Sequence, residues 1–282
     1  MLSSVDSICR VLRMTVVFPT FPESLAKQGF SGLTEGYSKN SNHNGMTLLC
    51  LLYKRIKRTL MSCTFQLTKA PEHLLQALHE VIPHCELMAQ QLPETLISLW
   101  LIPPVFPTDR LDDEVIRRIW NDTPYWIFCW ASGLAMAQWL LAEPHHVKDK
   151  VVLDFGAGSG VVAIAAKMAG AKRVICCDID QISLAACREN ALLNDVELEY
   201  LDDLYKAEQV DILLAADVLY DQCNRFFLDE FLKFAPEVWV ADSRVKNFSH
   251  PKYQKIDERS ASTWPDLDEA KEFRNVSFYK TL

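Results

Sequence analysis

The residues with the clearest chemical potential lie in a short glycine-rich stretch that follows an apolar segment. The sequence VLDFGAGSG, residues 152–160, carries Asp154 and then Gly156, Gly158 and Gly160 at alternate positions. Glycines at this spacing remove side chains where a ligand must lie against the backbone. A helix that begins directly after the stretch points free N–H groups at the ligand, which favours a carboxylate or another electron-rich group.

The pattern differs from a dinucleotide-binding fingerprint. That fingerprint is G-x-G-x-x-G, and counting from Gly156 it requires a glycine at the position of Val161. The pattern here is D-x-G-x-G-x-G, and the carboxylate of Asp154 would repel a pyrophosphate so close to it. A ligand with an ammonium group would instead be attracted.

Further acids follow the next two predicted strands. Asp178 ends the second strand, where a carboxylate can accept both hydroxyls of a ribose, and Asp202 and Asp203 end the third, where an adenine amino group would lie. A ligand with an amine, a carboxylate and a ribose diol fits all these positions, and S-adenosylmethionine has the three groups. Methyl transfer is therefore the leading hypothesis, with no metal site.

These residues require a sheet whose strands end side by side. From residue 150 onward the chain alternates between Val/Ile/Leu-rich strands and helices, which predicts an α/β protein with a mostly parallel, Rossmann-like sheet and helices on both faces. Predicted strands are residues 150–155, 173–179, 197–202, 210–218, 237–243 and 275–282. Predicted helices are residues 134–144, about 159–169, 181–194 and 224–234, the last with Asn224 as the favoured cap.

The N-terminal part differs in composition. Residues 1–60 are rich in Ser and Asn and carry eight Lys/Arg against three Asp/Glu, so we expect a poorly ordered or misassigned extension. Residues 61–120 predict a small α+β lobe, with helices at 70–82 and 108–120 and a strand at 96–104. Residues 121–282 are expected to form the main domain.

Charge and cysteine content narrow the functional classes. The formal net charge of −8 becomes −13 for residues 61–282, which disfavours nucleic acid and suits a basic partner. Nine cysteines without a C-x-x-C pair indicate reduced thiols, and adjacent Cys176 and Cys177 should point to opposite faces of a strand. His145 and His146 are expected in an exposed loop. No apolar run is long enough to cross a membrane.

The sequence resembles the class I, seven-β-strand methyltransferases, and more narrowly the family-16 lysine methyltransferases. The residues that carry the resemblance are VLDFGAGSG, CCDID and DVLYD (217–221), together with the aromatic segment PYWIFCWASGLAMAQWLL (124–141). The segment AAKMAGAKRVICCDID (165–180) is close to the branch that methylates the β-subunit of electron transfer flavoprotein. One departure is that Trp130 is followed by Ala-Ser-Gly rather than by two glycines.

The resemblance implies a seven-stranded sheet and a role for each matching residue. Asp154 and the glycines would hold the methionine end of the cofactor, Asp178 the ribose, and Asp202 or Asp203 the adenine. Trp130 would pack against the cofactor. Asp217 and Tyr220 would face the incoming amine, with Asp217 orienting it rather than acting as a strong base, and Asp242 would line the substrate channel.

Two other functional classes stay open from the sequence. The acceptor can be a small amine of the nicotinamide type instead of a protein lysine, or the chain can be a non-catalytic S-adenosylmethionine-binding module. A nucleic acid methylase is disfavoured because DVLYD is not an Asn-Pro-Pro-aromatic element. We expect a cytoplasmic monomer, or a protein of the mitochondrial matrix in a eukaryote.

Overall fold

A computed structural model describes residues 69–105, 112–245, 248–266 and 268–282. The predicted extension at residues 1–60 lies outside these ranges. Within the described part, no helix is both long and apolar enough to span a bilayer.

The main domain is built on one seven-stranded sheet. Its strands are β3 to β9, in the spatial order β5-β4-β3-β6-β7-β9-β8, and all neighbours from β5 to β7 are parallel. The last strand in the chain, β9, runs antiparallel to both β7 and β8. The strands are β3 Val151–Phe155, β4 Arg173–Cys177, β5 Glu199–Leu201, β6 Ile212–Ala216, β7 Glu237–Asp242, β8 Tyr253–Ser260 and β9 Asn275–Thr281. This topology confirms the predicted α/β, Rossmann-like class.

The central strands β3, β4, β6 and β7 are buried on both faces of the sheet, as their nearly continuous apolar sequences predict. Consecutive residues belong to two separate cores: Val152 and Cys176 pack on one face, and Leu153 and Cys177 pack on the other. The opposite orientation of the two cysteines is thereby confirmed. One face is covered by α3 Ala131–Ala142, α4 Val161–Met168 and α5 Gln181–Leu193. The other is covered by short helical segments, including α6 Phe227–Glu230.

Three details of the sequence-based assignment were wrong. The polar stretch before the last strand contains β8, an exposed edge strand that has too few apolar residues for its period to be recognised. The helix expected at 224–234 is broken into 3₁₀, α and 3₁₀ turns, and Asp221 caps it instead of Asn224. Helix α3 starts at Ala131, directly after Trp130, and thus three residues earlier than expected.

The described part of the N-terminal lobe, residues 69–105 and 112–120, contains two helices and a hairpin. The helices are α1 Glu72–Val81 and α2 Asp113–Asn121, and the hairpin pairs β1 Met88–Gln91 with β2 Ser98–Leu101 in antiparallel fashion. Pro71 precedes α1, as expected for a proline at a helix start. The lobe has its own apolar core, which also includes Ala186 from α5. Helix α5 therefore packs against both the sheet and the N-terminal lobe.

Six cysteines lie in the described ranges, and all six are free thiols. Burial raises the pKa of Cys177 to about 12 and that of Cys85 to about 12, so these thiols stay protonated at neutral pH.

Candidate cofactor and acceptor site

The glycine turn joins β3 to α4, and its three glycines serve different purposes. All three have a left-handed backbone, with φ of 67° at Gly156, 52° at Gly158 and 78° at Gly160. A Cβ on Gly156 would lie 2.7 Å from Val218 Cγ1, and one on Gly160 would lie 3.0 Å from Cys187 Sγ. A Cβ on Gly158 would meet only the Gly156 carbonyl oxygen, at 3.9 Å. The outer glycines therefore permit close packing, whereas Gly158 leaves open space against the backbone.

Asp154 lies beneath the turn and is bonded to the following helix. Its side chain is 2% exposed, and Oδ2 accepts a hydrogen bond of 3.0 Å from the N–H of Ala163, in the first turn of α4. Burial raises the pKa of Asp154 to about 8, although the N–H of Ala163 opposes the rise. The carboxyl group is thus poised to ionise when a cation comes near.

Asp178 follows β4 and connects the glycine turn to the next helix. Its Oδ2 accepts from the N–H of Gly158 at 2.8 Å, and its Oδ1 accepts from the N–H of Asp180 at 3.0 Å. Burial raises the pKa of Asp178, and these two N–H groups oppose the rise. Ile179, which sequence reasoning missed, is 91% exposed between the two acids. An apolar side chain so exposed at the carboxyl end of a parallel strand is a natural contact for a flat ligand ring.

The acids after β5 are placed next to Asp178, because β5 and β4 are neighbouring parallel strands. Asp202 is exposed and forms a 2.8 Å ion pair with Lys206, which lowers the pKa of the carboxyl group. Asp203 accepts from the N–H of Tyr205 at 2.9 Å and caps a short 3₁₀ turn. Both acids already have protein partners.

Asp217, directly after β6, has a carboxylate held by two serines. Oδ1 accepts from the hydroxyl of Ser132 at 2.6 Å, and from the hydroxyl and N–H of Ser243 at 2.9 and 3.3 Å. Among the residues that the structure describes, Oδ2 accepts from the N–H of Ser132 alone, at 2.8 Å. The backbone of Asp217 is left-handed, with φ of 51°. A carboxylate offers about four acceptor positions, so Oδ2 retains capacity for one more donor.

Asp242, at the end of β7, completes a reciprocal arrangement with Asp217. Its Oδ1 accepts from the N–H groups of Arg244 and Val245 at 2.8 and 2.7 Å, and the N–H of Leu219 also bonds to the carboxylate. Asp217 thus receives donors from the loop after β7, while Asp242 receives one from the loop after β6. Within the described residues Oδ2 of Asp242 has no partner, and burial and the charge of Asp217 raise its pKa.

An aromatic group lies beside these carboxylates. Tyr220 packs against Tyr125 with ring centroids 5.5 Å apart, and burial raises the pKa of Tyr220 well above its usual range. Trp130 donates its Nε1–H to the Tyr125 carbonyl at 2.9 Å. The guanidinium of Arg244 lies 5.5 Å from the Trp130 ring and forms an ion pair with buried Glu269. The three aromatic residues therefore form one connected wall.

The structure brings the candidate residues together along one edge of the sheet. Asp154, Asp178, Asp202, Asp203 and Asp217 all stand at or just after the carboxyl ends of parallel strands. Sequence reasoning missed Ser132 and Ser243, because isolated serines carry no motif. The only signal for Ser132 was its place in the segment WASG that departs from the double glycine of the family.

The histidine pair lies outside this site. His145, His146 and Glu143 bring possible ligand atoms within 4.8 Å of one another just after α3. His145 is exposed as expected, but His146 is partly buried and packs against Trp139, with ring centroids 4.8 Å apart and the ring planes tilted by 39°. The guanidinium of Arg259 donates to Glu143 Oε1 at 3.4 Å, so Glu143 already has a cationic partner.

Comparisons with known proteins find similarity to methyltransferases. Residues 137–245 match the family model described as ribosomal protein L11 methyltransferase (PrmA). Electron transfer flavoprotein β-subunit lysine methyltransferase from Homo sapiens is 37% identical over 129 residues, which is 44% of this chain and 48% of that protein. The protein of the same name from Danio rerio is 30% identical over 165 residues, or 54% and 60% of the two chains.

Two further relatives are bacterial. Ribosomal protein L11 methyltransferase from Acinetobacter baumannii (strain AYE) is 40% identical over 92 residues, 30% of each chain. The structure of ribosomal protein L11 methylase from Lactobacillus delbrueckii subsp. bulgaricus superimposes with a TM-score of 0.39 and 22% identity, covering 52% of this chain and 76% of that one. This chain spans about half the length of the curated flavoprotein-directed relatives it matches. The similarity to the PrmA family model extends over residues 137–245.

Proposed function

We propose that this PrmA-like domain is an S-adenosylmethionine-dependent methyltransferase that acts on a lysine side chain of a protein. The observation that carries the proposal is the glycine turn, where Gly158 leaves its backbone open and Asp178 holds the same residue from below. When bound, S-adenosylmethionine supplies a methyl group on an already activated sulfonium. The residues of this chain then have to bind the cofactor and the acceptor, orient them for transfer, and exclude water.

The residues around the turn suit that cofactor. Asp154 is buried with a raised pKa, so an ammonium group placed nearby would favour its charged form. Asp178 would accept from ribose hydroxyls, and exposed Ile179 offers an apolar contact for the base. Asp202 and Asp203 would lie towards the adenine, and Trp130 would flank the site.

The acceptor side suits a cationic chain end. We assign Asp217 to orient the substrate amine through Oδ2, which has one protein donor, while Oδ1 is occupied by Ser132 and Ser243. A lysine has a pKa of about 10.4, and a nearby carboxylate raises it further. Asp217 therefore acts as an orienting group, and the proton leaves to water. Tyr220, Tyr125 and Trp130 would keep the amine in a partly dry channel.

The β-subunit of electron transfer flavoprotein is the favoured substrate. Several relatives at 30–37% identity carry that activity in their names, and the acidic body of this chain suits a lysine-rich partner. Ribosomal protein L11 is a second candidate, because the family model and the 40% identical bacterial relative bear its name. The proposed site of action is the cytoplasm, or the mitochondrial matrix in a eukaryote, with the protein as a monomer.

The test uses the full chain with labelled S-adenosylmethionine. It would be incubated separately with electron transfer flavoprotein, with ribosomal protein L11 and with nicotinamide, and each product examined by mass spectrometry. We expect a mass gain in steps of one methyl on lysine in the flavoprotein β-subunit. If the label were found only in nicotinamide, the acceptor would be a small amine rather than a protein lysine. Cofactor binding without methylation of any acceptor, in a whole-cell extract as well, would support a binding module.

A further inference from the structure

Asn190, in the last turn of α5, connects the N-terminal hairpin to the glycine turn through a single side chain. It is fully buried, and its amide makes two hydrogen bonds in opposite directions. Oδ1 accepts from the N–H of Trp100 in β2 at 2.7 Å, and Nδ2 donates to the carbonyl of Ser159 in the turn at 2.8 Å. Both ends of the amide are therefore used, and neither bond can move without disturbing the other.

A second asparagine shows how the hairpin meets the helix. Asn194 accepts from the N–H of Ser98 at 2.9 Å and donates to the Ser98 carbonyl at 2.6 Å. Asn190 and Asn194 are four residues apart on a helix, about 6 Å, and Ser98 and Trp100 are two residues apart on a strand, about 6.6 Å. The two spacings match, so the asparagines hold the free edge of β2 in register. Only Asn190 also reaches the glycine turn.

Among the described residues, the contact at Ser159 is one of three hydrogen bonds that side chains make to the backbone of the turn. Asp178 accepts from the N–H of Gly158, and the thiol of Cys187 donates to the Gly158 carbonyl at 3.4 Å. Asn190 holds the next carbonyl in the chain. Cys187 and Asn190 are three residues apart on α5 and thus share a face. Two of these three side-chain bonds come from α5, which also packs against the hairpin. The N–H groups of Gly156 and Ala157 bond in addition to the Cys177 carbonyl at the end of β4.

We propose that Asn190 is a positioning residue for the cofactor site, and that through it the β1–β2 hairpin sets the affinity of the glycine turn for the cofactor. This inference rests on the proposed function. A hairpin displaced from α5 would rotate the Asn190 amide and release the Ser159 carbonyl. Because coupling between two sites is reciprocal, cofactor binding should in turn stabilise the hairpin.

The variant that tests this is Asn190→Asp, with Asn194→Asp as the matched control. Each keeps an acceptor for the β2 amide and loses an amide donor, but only the first loses the bond to the turn. Calorimetry with S-adenosylhomocysteine should show affinity lowered about tenfold for Asn190→Asp and less than about twofold for Asn194→Asp. The KM for S-adenosylmethionine should rise by a similar factor, with kcat within about twofold.

A second measurement does not depend on the fold of a variant. In the wild-type protein, S-adenosylhomocysteine should slow amide hydrogen exchange at Trp100 as well as in the glycine turn. Equal affinities for the two variants, or protection of the turn with no change at Trp100, would overturn the inference. Failure of the wild-type protein to bind S-adenosylhomocysteine would instead refute the proposed function.

Discussion

The two halves of the carboxyl edge of the sheet are built in different ways. In the half formed by β3, β4 and β5, the open feature is backbone: a turn of left-handed glycines, with buried Asp154 beneath it. In the half formed by β6 and β7, the features are side chains. Asp217 and Asp242 each receive hydrogen-bond donors from the other's loop, and Ser132 joins them from α3.

This contrast assigns different sensitivities to the two halves. A turn that works through missing side chains is disturbed by adding one, whereas a network of side chains is disturbed by removing one. The first kind of change should act on cofactor affinity, and the second on turnover. Substitutions in each half can separate these effects.

The largest effect is expected for Gly158→Ala. The added methyl enters the space proposed for the cofactor, so affinity for S-adenosylhomocysteine should fall about a hundredfold by calorimetry. Gly170→Ala is the control, because Gly170 also has a positive φ, of 96°, and a Cβ there would meet only Lys148 Cγ, at 3.5 Å. An equal loss of affinity in both variants would show that backbone strain, rather than filled space, is responsible.

Asp217→Asn should act on turnover. An amide places N–H groups against the donors of Ser132 or Ser243, so kcat should fall about thirtyfold while cofactor affinity changes less than about threefold. Asp211→Asn is the control, since Asp211 precedes the same strand and accepts from the N–H of Val151 at 2.7 Å. Equal loss of turnover and cofactor affinity would make Asp217 structural and erase the contrast between the halves.

Asp154 makes the stability of the β3–β5 half, which is proposed to bind the cofactor, sensitive to pH. Its folded-state pKa of about 8 lies above the value of about 3.9 in an unfolded chain, so the protonated form favours folding. That stability is complete below about pH 4 and is lost as the pH rises through about 8. From pH 7 to 9, the wild type should lose about 1 kcal/mol more than Asp154→Asn, or about 3 °C in Tm. Parallel Tm profiles would exclude this ionisation.

The smallest effect is expected for Ser243→Ala. It removes one hydroxyl donor from Asp217, but Ser132 still supplies both of its bonds. We expect kcat to fall about threefold, with unchanged cofactor affinity, in steady-state assays. If kcat fell as far as in Asp217→Asn, Ser243 rather than the carboxylate would have the main role in the β6–β7 half, which is proposed to bind the acceptor.

The same contrast explains what the sequence could predict. The parallel strands were recognisable because burial on both faces makes them apolar throughout, and the glycine turn was recognisable because its spacing follows from backbone geometry. β8 was missed because it is an exposed edge strand with a polar sequence. Helix 224–234 was overestimated, since its apolar residues also suit short turns packed on the sheet.

The side-chain network of the β6–β7 half was harder to predict for a physical reason. Ser132, Asp217 and Ser243 are far apart in the chain and meet only through tertiary structure. Asn190 likewise lay inside a correctly predicted helix, but its two partners are 90 and 31 residues away. Nothing in the local pattern of a single sequence indicates such pairs. The roles assigned to the site residues remain predictions until the variants are measured.

The left-handed backbone of Asp217 limits how this protein can diverge. Apart from glycine, residues that adopt such a φ with little strain are mainly asparagine and aspartate, so a longer acid such as glutamate is not an equivalent replacement. Selection for a new acceptor therefore meets a backbone constraint at this position that favours aspartate or asparagine. New specificity has to arise from the aromatic wall and the loops around it.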